Sequence, residues 1–123
     1  MTNNSAIGKI GEDIACKFLQ EKGYKIIERN FRKKWGELDI ISKDRKGVLV
    51  FVEVKTIDNL DARTNLLPEE NLTKSKLQKL QRTAMLYAGE HNELVKDKLG
   101  WRIDLIAITL NADKNIINYY ENI

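Results

Sequence analysis

The sequence has few residues of three types: it holds one cysteine, one proline and one histidine among 123 residues. A single cysteine, Cys16, excludes an internal disulfide framework and the paired cysteines of a zinc finger. Its place in an apolar helical pattern predicts a small buried residue. No apolar run approaches the roughly 20 residues of a membrane-spanning helix. The N-terminus lacks a basic stretch followed by an apolar one, so we expect no signal peptide and a cytoplasmic protein.

Neither sign of charge dominates the sequence. It holds 21 lysines and arginines against 18 aspartates and glutamates, a net charge of +3. This surplus is compatible with a polyanionic partner, but the position of the charges matters more than their sum. The composition is that of an ordinary globular protein, and the length predicts one domain over residues 1–123.

The most apolar stretch is residues 48–55, Val-Leu-Val-Phe-Val-Glu-Val-Lys. Because side chains alternate between the two faces of a strand, this stretch is apolar on both and predicts a buried central strand. Glu53 and Lys55 share one face near its end. Burying a charge costs several kcal/mol unless it is paired or bound to a metal. We therefore interpret this end as a candidate site, with Glu53 as a metal ligand and Lys55 beside it.

A β-hairpin adds a second carboxylate to this site. A strand at residues 37–42 and a turn at residues 44–47 precede the central strand. With the turn centred on Lys46, Asp39 and Glu53 are each seven residues away and pair across the hairpin, unless the register slips by one. Facing carboxylates are destabilising without a cation, and Mg²⁺ is often held by one or two carboxylates. The hairpin thus predicts a site for Mg²⁺ (or Mn²⁺) at Asp39 and Glu53.

Hydrophobic periodicity predicts the other elements. We expect helices at residues 5–22 and 73–89, and further strands at residues 24–31, 101–110 and 116–120. Within the strand at residues 37–42, alternation predicts that Leu38 and Ile40 share one face, and that Glu37, Asp39 and Ile41 share the other. The polar residues 57–72, which contain Pro68, predict a loop along the site.

The first helix carries an apolar stripe with a carboxylate on its flank. Gly11 and Ala15 would let this helix approach a sheet closely. Glu12 can be a solvated charge or a side chain that reaches a site at the sheet edge, and the sequence favours the solvated charge slightly. The stripe itself consists of Ile7, Ile10, Ile14 and Phe18.

Two groups of basic residues are candidate contacts for nucleic acid. Lysine and arginine supply most protein contacts to phosphate groups, although a solvated turn or helix face has the same composition. One group lies in the loop before Trp35, and the other lies on the second helix, which follows the site strand. The candidate nucleic-acid-binding residues are Arg32, Lys33, Lys34, Lys76 and Lys79.

Several motifs together resemble one protein family. They are Gly8-x-x-Gly11-Glu12-x-x-Ala15, Gly23-Tyr24-x-Ile26, Arg29-Asn30-Phe31-Arg32, Gly36-Glu37-Leu38-Asp39, Phe51-Val52-Glu53-Val54-Lys55-Thr56 and Arg102-Ile103-Asp104. Over nearly the whole chain, the set resembles the YraN family of bacterial endonuclease-like proteins, which is similar to archaeal Holliday-junction resolvases. The resemblance implies an α/β (α+β) fold of the restriction-endonuclease-like superfamily, in which helices flank a central mixed β-sheet with a meander of strands.

The resemblance also implies residue roles and an activity. Asp39 and Glu53 would be metal ligands, Lys55 would align the attacking water, and Glu12 matches a first-helix glutamate that completes such sites. The implied activity is Mg²⁺-dependent hydrolysis of phosphodiester bonds in nucleic acid. The resemblance does not supply the substrate, and branched or structured DNA is one candidate.

Two alternative functions accompany this expectation. The same fold without useful catalysis would be a nucleic-acid-binding module. In a protein-interaction domain, Asp39, Glu53 and Lys55 would instead form an internal ion-pair network that needs no metal. A homodimer is also compatible with the resemblance, because junction resolvases act as dimers; Trp35 or the edge strand at residues 116–120 would then form the interface.

Overall fold

The structure is a computed structural model that describes residues 4–59, 72–96 and 98–123, with side chains from residue 6 onward. Within these residues the elements are α1 (Asn4–Glu21), β1 (Lys25–Lys33), β2 (Gly36–Lys43), β3 (Leu49–Asp58), α2 (Lys74–Glu90), β4 (Trp101–Leu110) and β5 (Ile116–Tyr120). Each predicted helix and strand is confirmed, with ends shifted by a few residues. The first residues of the predicted loop at 57–72 continue β3, and residues 60–71, including Pro68, lie outside the described residues.

The described strands form one mixed sheet in the order β1-β2-β3-β4-β5. Strands β1, β2 and β3 form an antiparallel meander, β3 and β4 are parallel, and β5 returns antiparallel to β4. A parallel pair requires a crossover, and α2 lies in the connection between β3 and β4. This is the α+β arrangement that the resemblance implied. Neither helix in the described part of the chain is long and apolar enough to span a bilayer.

The two helices cover opposite faces of β3. Residues Leu49 to Val52 are at most 1% exposed, which confirms a central strand buried on both faces. Helix α1 packs on one face through Ala15 and Leu19, against Ile40, Val50 and Val52. Helix α2 packs on the other face through Leu80, Ala84 and Tyr87, against Leu38, Ile41 and Phe51.

Helix α1 lies close to the sheet because of Gly11. A Cβ atom at Gly11 would lie 1.8 Å from Oγ1 of Thr56 on β3, so only glycine fits at this distance. Ala15 is fully buried, and Cys16 is buried as predicted. The predicted stripe is wrong at Ile10, which is 44% exposed. The buried face is centred on the small residues instead, because they permit the closest approach to the sheet.

Strict alternation fails in β2. Leu38 packs with Ile41 on the α2 face, whereas Ile40 packs on the α1 face, so the predicted pairing of Leu38 with Ile40 is wrong. The break falls at Asp39, just beyond the last β2–β3 pair at Ile40. There the Asp39 carboxylate accepts a hydrogen bond from the backbone N–H of Val54 (2.8 Å). A side chain thus satisfies a strand donor at the point where the two strands separate.

Asp104 on β4 is a fully buried carboxylate with ample partners. It is 0% exposed and accepts hydrogen bonds from the Arg102 guanidinium (3.0 Å), the Asn122 backbone N–H (2.9 Å) and the Tyr119 hydroxyl. Arg102 also pairs with Asp44 in the β2–β3 turn (2.9 Å). This network lies where β3 and β4 begin. In it, a buried carboxylate has hydrogen-bond donors for both of its oxygens.

Candidate functional site

Asp39 and Glu53 lie side by side on neighbouring strands. Strands β2 and β3 pair from Lys43 and Leu49 to Ile40 and Val52. The same register, extended by one residue, would set Asp39 opposite Glu53, which is the pairing that the hairpin predicts. The charge of Asp39 raises the pKa of Glu53, so the two carboxyl groups lie close enough to interact. Two carboxylates this close repel each other unless a proton or a cation relieves the repulsion.

Burial dominates the electrostatics of this pair. Burial, and after it the charge of Asp39, raises the pKa of Glu53 from its ordinary 4.5 to about 7. Burial also raises the pKa of Asp39, against the opposing effects of the Val54 N–H and of Lys55. Lys55 Nζ lies 3.4 Å from Glu53 Oε1, with the two side chains 29% and 17% exposed. One lysine therefore does not offset the cost of burying two carboxyl groups.

Glu12 reaches the same region from α1 but is held by β1. Its pKa is raised by burial and by the charge of Asp39, so the two carboxyl groups are close enough to interact. The direct partners of Glu12 are Arg29, at 4.0 Å, and Asn30. With the Asn30 amide assigned from its partners, its nitrogen donates to both Glu12 carboxylate oxygens, at 2.9 and 3.2 Å.

Two cavities meet at the carboxyl pair. Both are lined by Glu37, Asp39, Glu53 and Lys55. The α1-side cavity, of about 330 Å³, adds Glu12, Ile7, Gly8 and Thr56. The α2-side cavity, of about 370 Å³, adds Trp35, Lys76, Lys79 and Thr83. The candidate residues Asp39, Glu53 and Lys55 thus form the shared wall of a cleft that has a helix on each side.

The donor set of the pair fits a hard divalent cation. Asp39 and Glu53 offer carboxylate oxygens, which Mg²⁺ and Mn²⁺ prefer. A cation bound by both carboxylates would relieve their mutual repulsion. No group of three or more histidine, cysteine or acidic side chains suited to a metal occurs among the described residues. The pair is therefore the set that would hold Mg²⁺, a metal that usually keeps several waters.

The predicted basic residues do not form one patch. Arg32 lies near enough to Glu12 to lower its pKa, whereas Lys33 lies over the Phe31 ring at 5.7 Å, on the α2 face. Lys34 is exposed in the β1–β2 turn. Lys76 and Lys79, from the first two turns of α2, line the α2-side cavity together.

The sequence prediction missed an acidic residue that lines the cleft and an amide that holds Glu12. Glu37 lines both cavities, and its place in the Gly-Glu-Leu-Asp motif is a signal that could have indicated it. Asn30 binds Glu12 from a left-handed backbone conformation (φ 54°). Asparagine tolerates that conformation better than most residues, but its presence inside a strand pattern gives no signal of it.

The aromatic residues proposed for an interface differ in exposure. Trp35 is 46% exposed and Tyr120 is 37% exposed. Tyr119, on the same edge strand, donates its hydroxyl to Asp104 and lies 3.1 Å from the Tyr24 hydroxyl, so its polar end belongs to the internal network.

Comparison with known proteins gives a family match over most of the chain. The model of the uncharacterised protein family UPF0102 matches residues 11–108. A UPF0102 protein of Dictyoglomus turgidum is 36% identical over 118 residues, covering 95% of this chain and 93% of the relative. UPF0102 proteins of Desulforamulus reducens and Clostridium botulinum are 39% and 42% identical, over 90% and 89% of this chain and 87% and 84% of the relatives. These matches confirm the family resemblance of the motifs.

One solved structure is similar at a lower level. Pyrococcus furiosus SfsA, in complex with Ca²⁺, is 20% identical with a TM-score of 0.41. The match covers 97% of this chain, which spans 64% of the length of that protein.

Proposed function

The chain belongs to the uncharacterised protein family UPF0102, and we propose that it is a metal-dependent nuclease that hydrolyses phosphodiester bonds in nucleic acid. One observation carries the proposal: Asp39 and Glu53 lie opposite each other where β2 and β3 separate, with the amine of Lys55 3.4 Å from Glu53. The proposed reaction requires two acids that can hold a metal ion and an amine beside them, in a cleft that is open to the substrate.

The contrast with Asp104 supports a site rather than a structural network. Asp104 is buried and receives donors from an arginine, a tyrosine and a backbone N–H. Asp39 accepts a hydrogen bond from the Val54 backbone N–H, and Glu53 has Lys55 Nζ at 3.4 Å. An ion-pair network that needed no cation would be expected to resemble the Asp104 network, because buried charges are normally fully paired.

Asp39, Glu53 and Lys55 would have separate roles in the reaction. A bound Mg²⁺ or Mn²⁺, held by Asp39 and Glu53, would supply Lewis acidity at the phosphate and lower the pKa of a water. The Lys55 ammonium group donates hydrogen bonds to the attacking water and to phosphate oxygens as their charge increases. The water oxygen bonds to phosphorus and one P–O bond to a sugar oxygen breaks. The products are a phosphate monoester and a free sugar hydroxyl, and the protons of the water are shared between the products and solvent.

The test is cleavage of end-labelled branched, single-stranded and duplex DNA and RNA with Mg²⁺ or Mn²⁺. We expect cleavage by the wild type and its loss in Asp39→Asn, Glu53→Gln and Lys55→Ala. The matched controls, Asp113→Asn and Lys114→Ala, change exposed residues of the β4–β5 turn and should cleave normally. Absence of cleavage, or cleavage that persists in all three site variants, would overturn the proposal.

A non-catalytic nucleic-acid-binding module is the second candidate, favoured by the two lysines of the α2-side cavity. The double variant Lys76→Ala/Lys79→Ala should bind DNA more weakly, and removal of each lysine–phosphate interaction should lower the salt dependence of log K by roughly 0.7–0.9. Binding with this salt dependence, but without cleavage by any metal, would favour the module. Unchanged affinity in the double variant would exclude these lysines from both functions.

A further inference from the structure

The α2-side cavity has one aromatic wall and one basic wall. Trp35, from the β1–β2 turn, is 46% exposed, and Lys76 and Lys79 come from α2. The volume, about 370 Å³, lies within the roughly 300–1,000 Å³ of ligand pockets. The catalytic candidates Asp39 and Glu53 line the same cavity. A ligand here would thus contact an aromatic face, two cations and the carboxyl pair together.

The position of Trp35 is fixed by its backbone. A Cβ atom at the next residue, Gly36, would lie 1.9 Å from Thr83 Oγ1, so the turn lies directly against α2. The Thr83 hydroxyl donates to the Lys79 carbonyl oxygen (2.9 Å) and lies 3.5 Å from the Trp35 carbonyl oxygen. Thr83 is 1% exposed. The Trp35 indole is therefore nearly half exposed, while the Trp35 backbone is held against α2.

We propose that this cavity binds an unpaired nucleotide, with its base stacked on Trp35 and its phosphate groups on Lys76 and Lys79. The inference rests on the proposed function and specifies its substrate class: nucleic acid with a single-stranded segment, such as a flap, a single strand or an open junction. A base inside a duplex is covered by its neighbours on both faces, so an unpaired base is far more available to stack on a protein side chain.

The combination of groups favours a single strand over other occupants. Single-strand-binding grooves combine lysines that follow the backbone with aromatic side chains on which bases stack. Duplex DNA would contact the lysines through its phosphates but would give Trp35 no base face to stack on. The phosphate of the stacked nucleotide would lie in the cavity that Asp39, Glu53 and Lys55 line, where the proposed reaction takes place.

Tryptophan fluorescence tests the stacking directly, because the chain has two tryptophans. Trp101→Phe leaves Trp35 as the only reporter, and Trp35→Phe leaves Trp101, which packs against Phe51. Titration with a short oligothymidine strand in EDTA, so that no cleavage occurs, should quench the Trp101→Phe protein to saturation. The Trp35→Phe protein should keep its emission, and a blunt duplex of equal length should quench neither. No quenching of Trp35 by the single strand, or equal quenching by the duplex, would overturn the proposal.

Affinity gives a second readout that does not depend on fluorescence. Trp35→Ala should weaken oligothymidine binding about tenfold, Trp35→Phe should retain most of the affinity, and duplex affinity should not change. Tyr120→Ala, which removes an exposed aromatic side chain from β5, is the matched control and should bind like the wild type. Wild-type affinity in Trp35→Ala would refute the stacking. These measurements need no catalysis, so they can be interpreted even if the protein is not a nuclease. If the protein cleaves nucleic acid but Trp35 does not stack on a base, only this inference is overturned.

Discussion

Glu53→Gln should make the metal-free protein more stable at alkaline pH. The pKa of Glu53 is raised from 4.5 to about 7 by burial and by Asp39, so the folded protein holds this proton more tightly than the unfolded chain. Below about pH 4.5 the group is protonated in both states and contributes nothing to the pH dependence. Between the two pKa values stability falls as pH rises, and above about pH 7 the loss is complete.

The size of the pKa shift of Glu53 determines how much stability the wild type loses at alkaline pH. A difference of about 2.5 pKa units, at 1.36 kcal/mol per unit, corresponds to about 3 kcal/mol lost at pH 8. Glutamine keeps the shape of the side chain but cannot ionise, and its amide can donate to Asp39. Lys55, which is 29% exposed, can turn to solvent when its partner is neutral. We therefore expect Glu53→Gln to exceed the wild type by about 1–3 kcal/mol near pH 8 and to match it near pH 4.

Urea unfolding followed by circular dichroism in EDTA, from about pH 4 to pH 9, measures this difference. Glu121→Gln, at a side chain that is 65% exposed, is the control and should follow the wild type throughout. Added Mn²⁺ should stabilise the wild type at pH 8 by about 2.7 kcal/mol at a hundred times its dissociation constant, and should stabilise Glu53→Gln much less. The reasoning is refuted if the variant gains nothing at pH 8, or gains as much near pH 4 as at pH 8.

Two further predictions concern how β1 and α1 hold the site. Gly11→Ala should destabilise the protein by about 1–3 kcal/mol, because its Cβ would meet Thr56 Oγ1. Gly8→Ala, whose Cβ meets nothing within 4 Å, is the control and should be neutral or stabilising. Thermal melts of the two variants measure this difference in stability. Asn30→Ala should be less stable than Asn30→Gly, because both lose the hydrogen bonds to Glu12 but only alanine resists the positive φ. Equal stability of the two Asn30 variants, by urea unfolding, would contradict the role of the backbone.

The fold was predictable from the sequence because its signals are local. A strand that is apolar on both faces, as at Leu49 to Val52, has to be central, and a short turn fixes the register of a hairpin. That register gave the Asp39–Glu53 pair. Gly11 and Ala15 predicted the close approach of α1, since small residues are what such contact requires. Ile10 was misplaced because periodicity alone does not distinguish the face that packs closest from the one beside it.

The rest of the site depends on irregular backbone, which periodicity cannot predict. Asn30 lies between the Arg29–Ile40 and Phe31–Leu38 pairs, and is therefore opposite Asp39, which is opposite Glu53 in turn. The three residues form one row across β1, β2 and β3. In this row Asn30 has a positive φ and Asp39 breaks the alternation of β2. Departures from local rules are most often retained where function requires them. Both departures lie beside the half-buried carboxyl pair, because Asp39 lines the cleft and Asn30 donates to Glu12. Loss of cleavage in Asp39→Asn, together with the lower stability of Asn30→Ala, would show that the site depends on both.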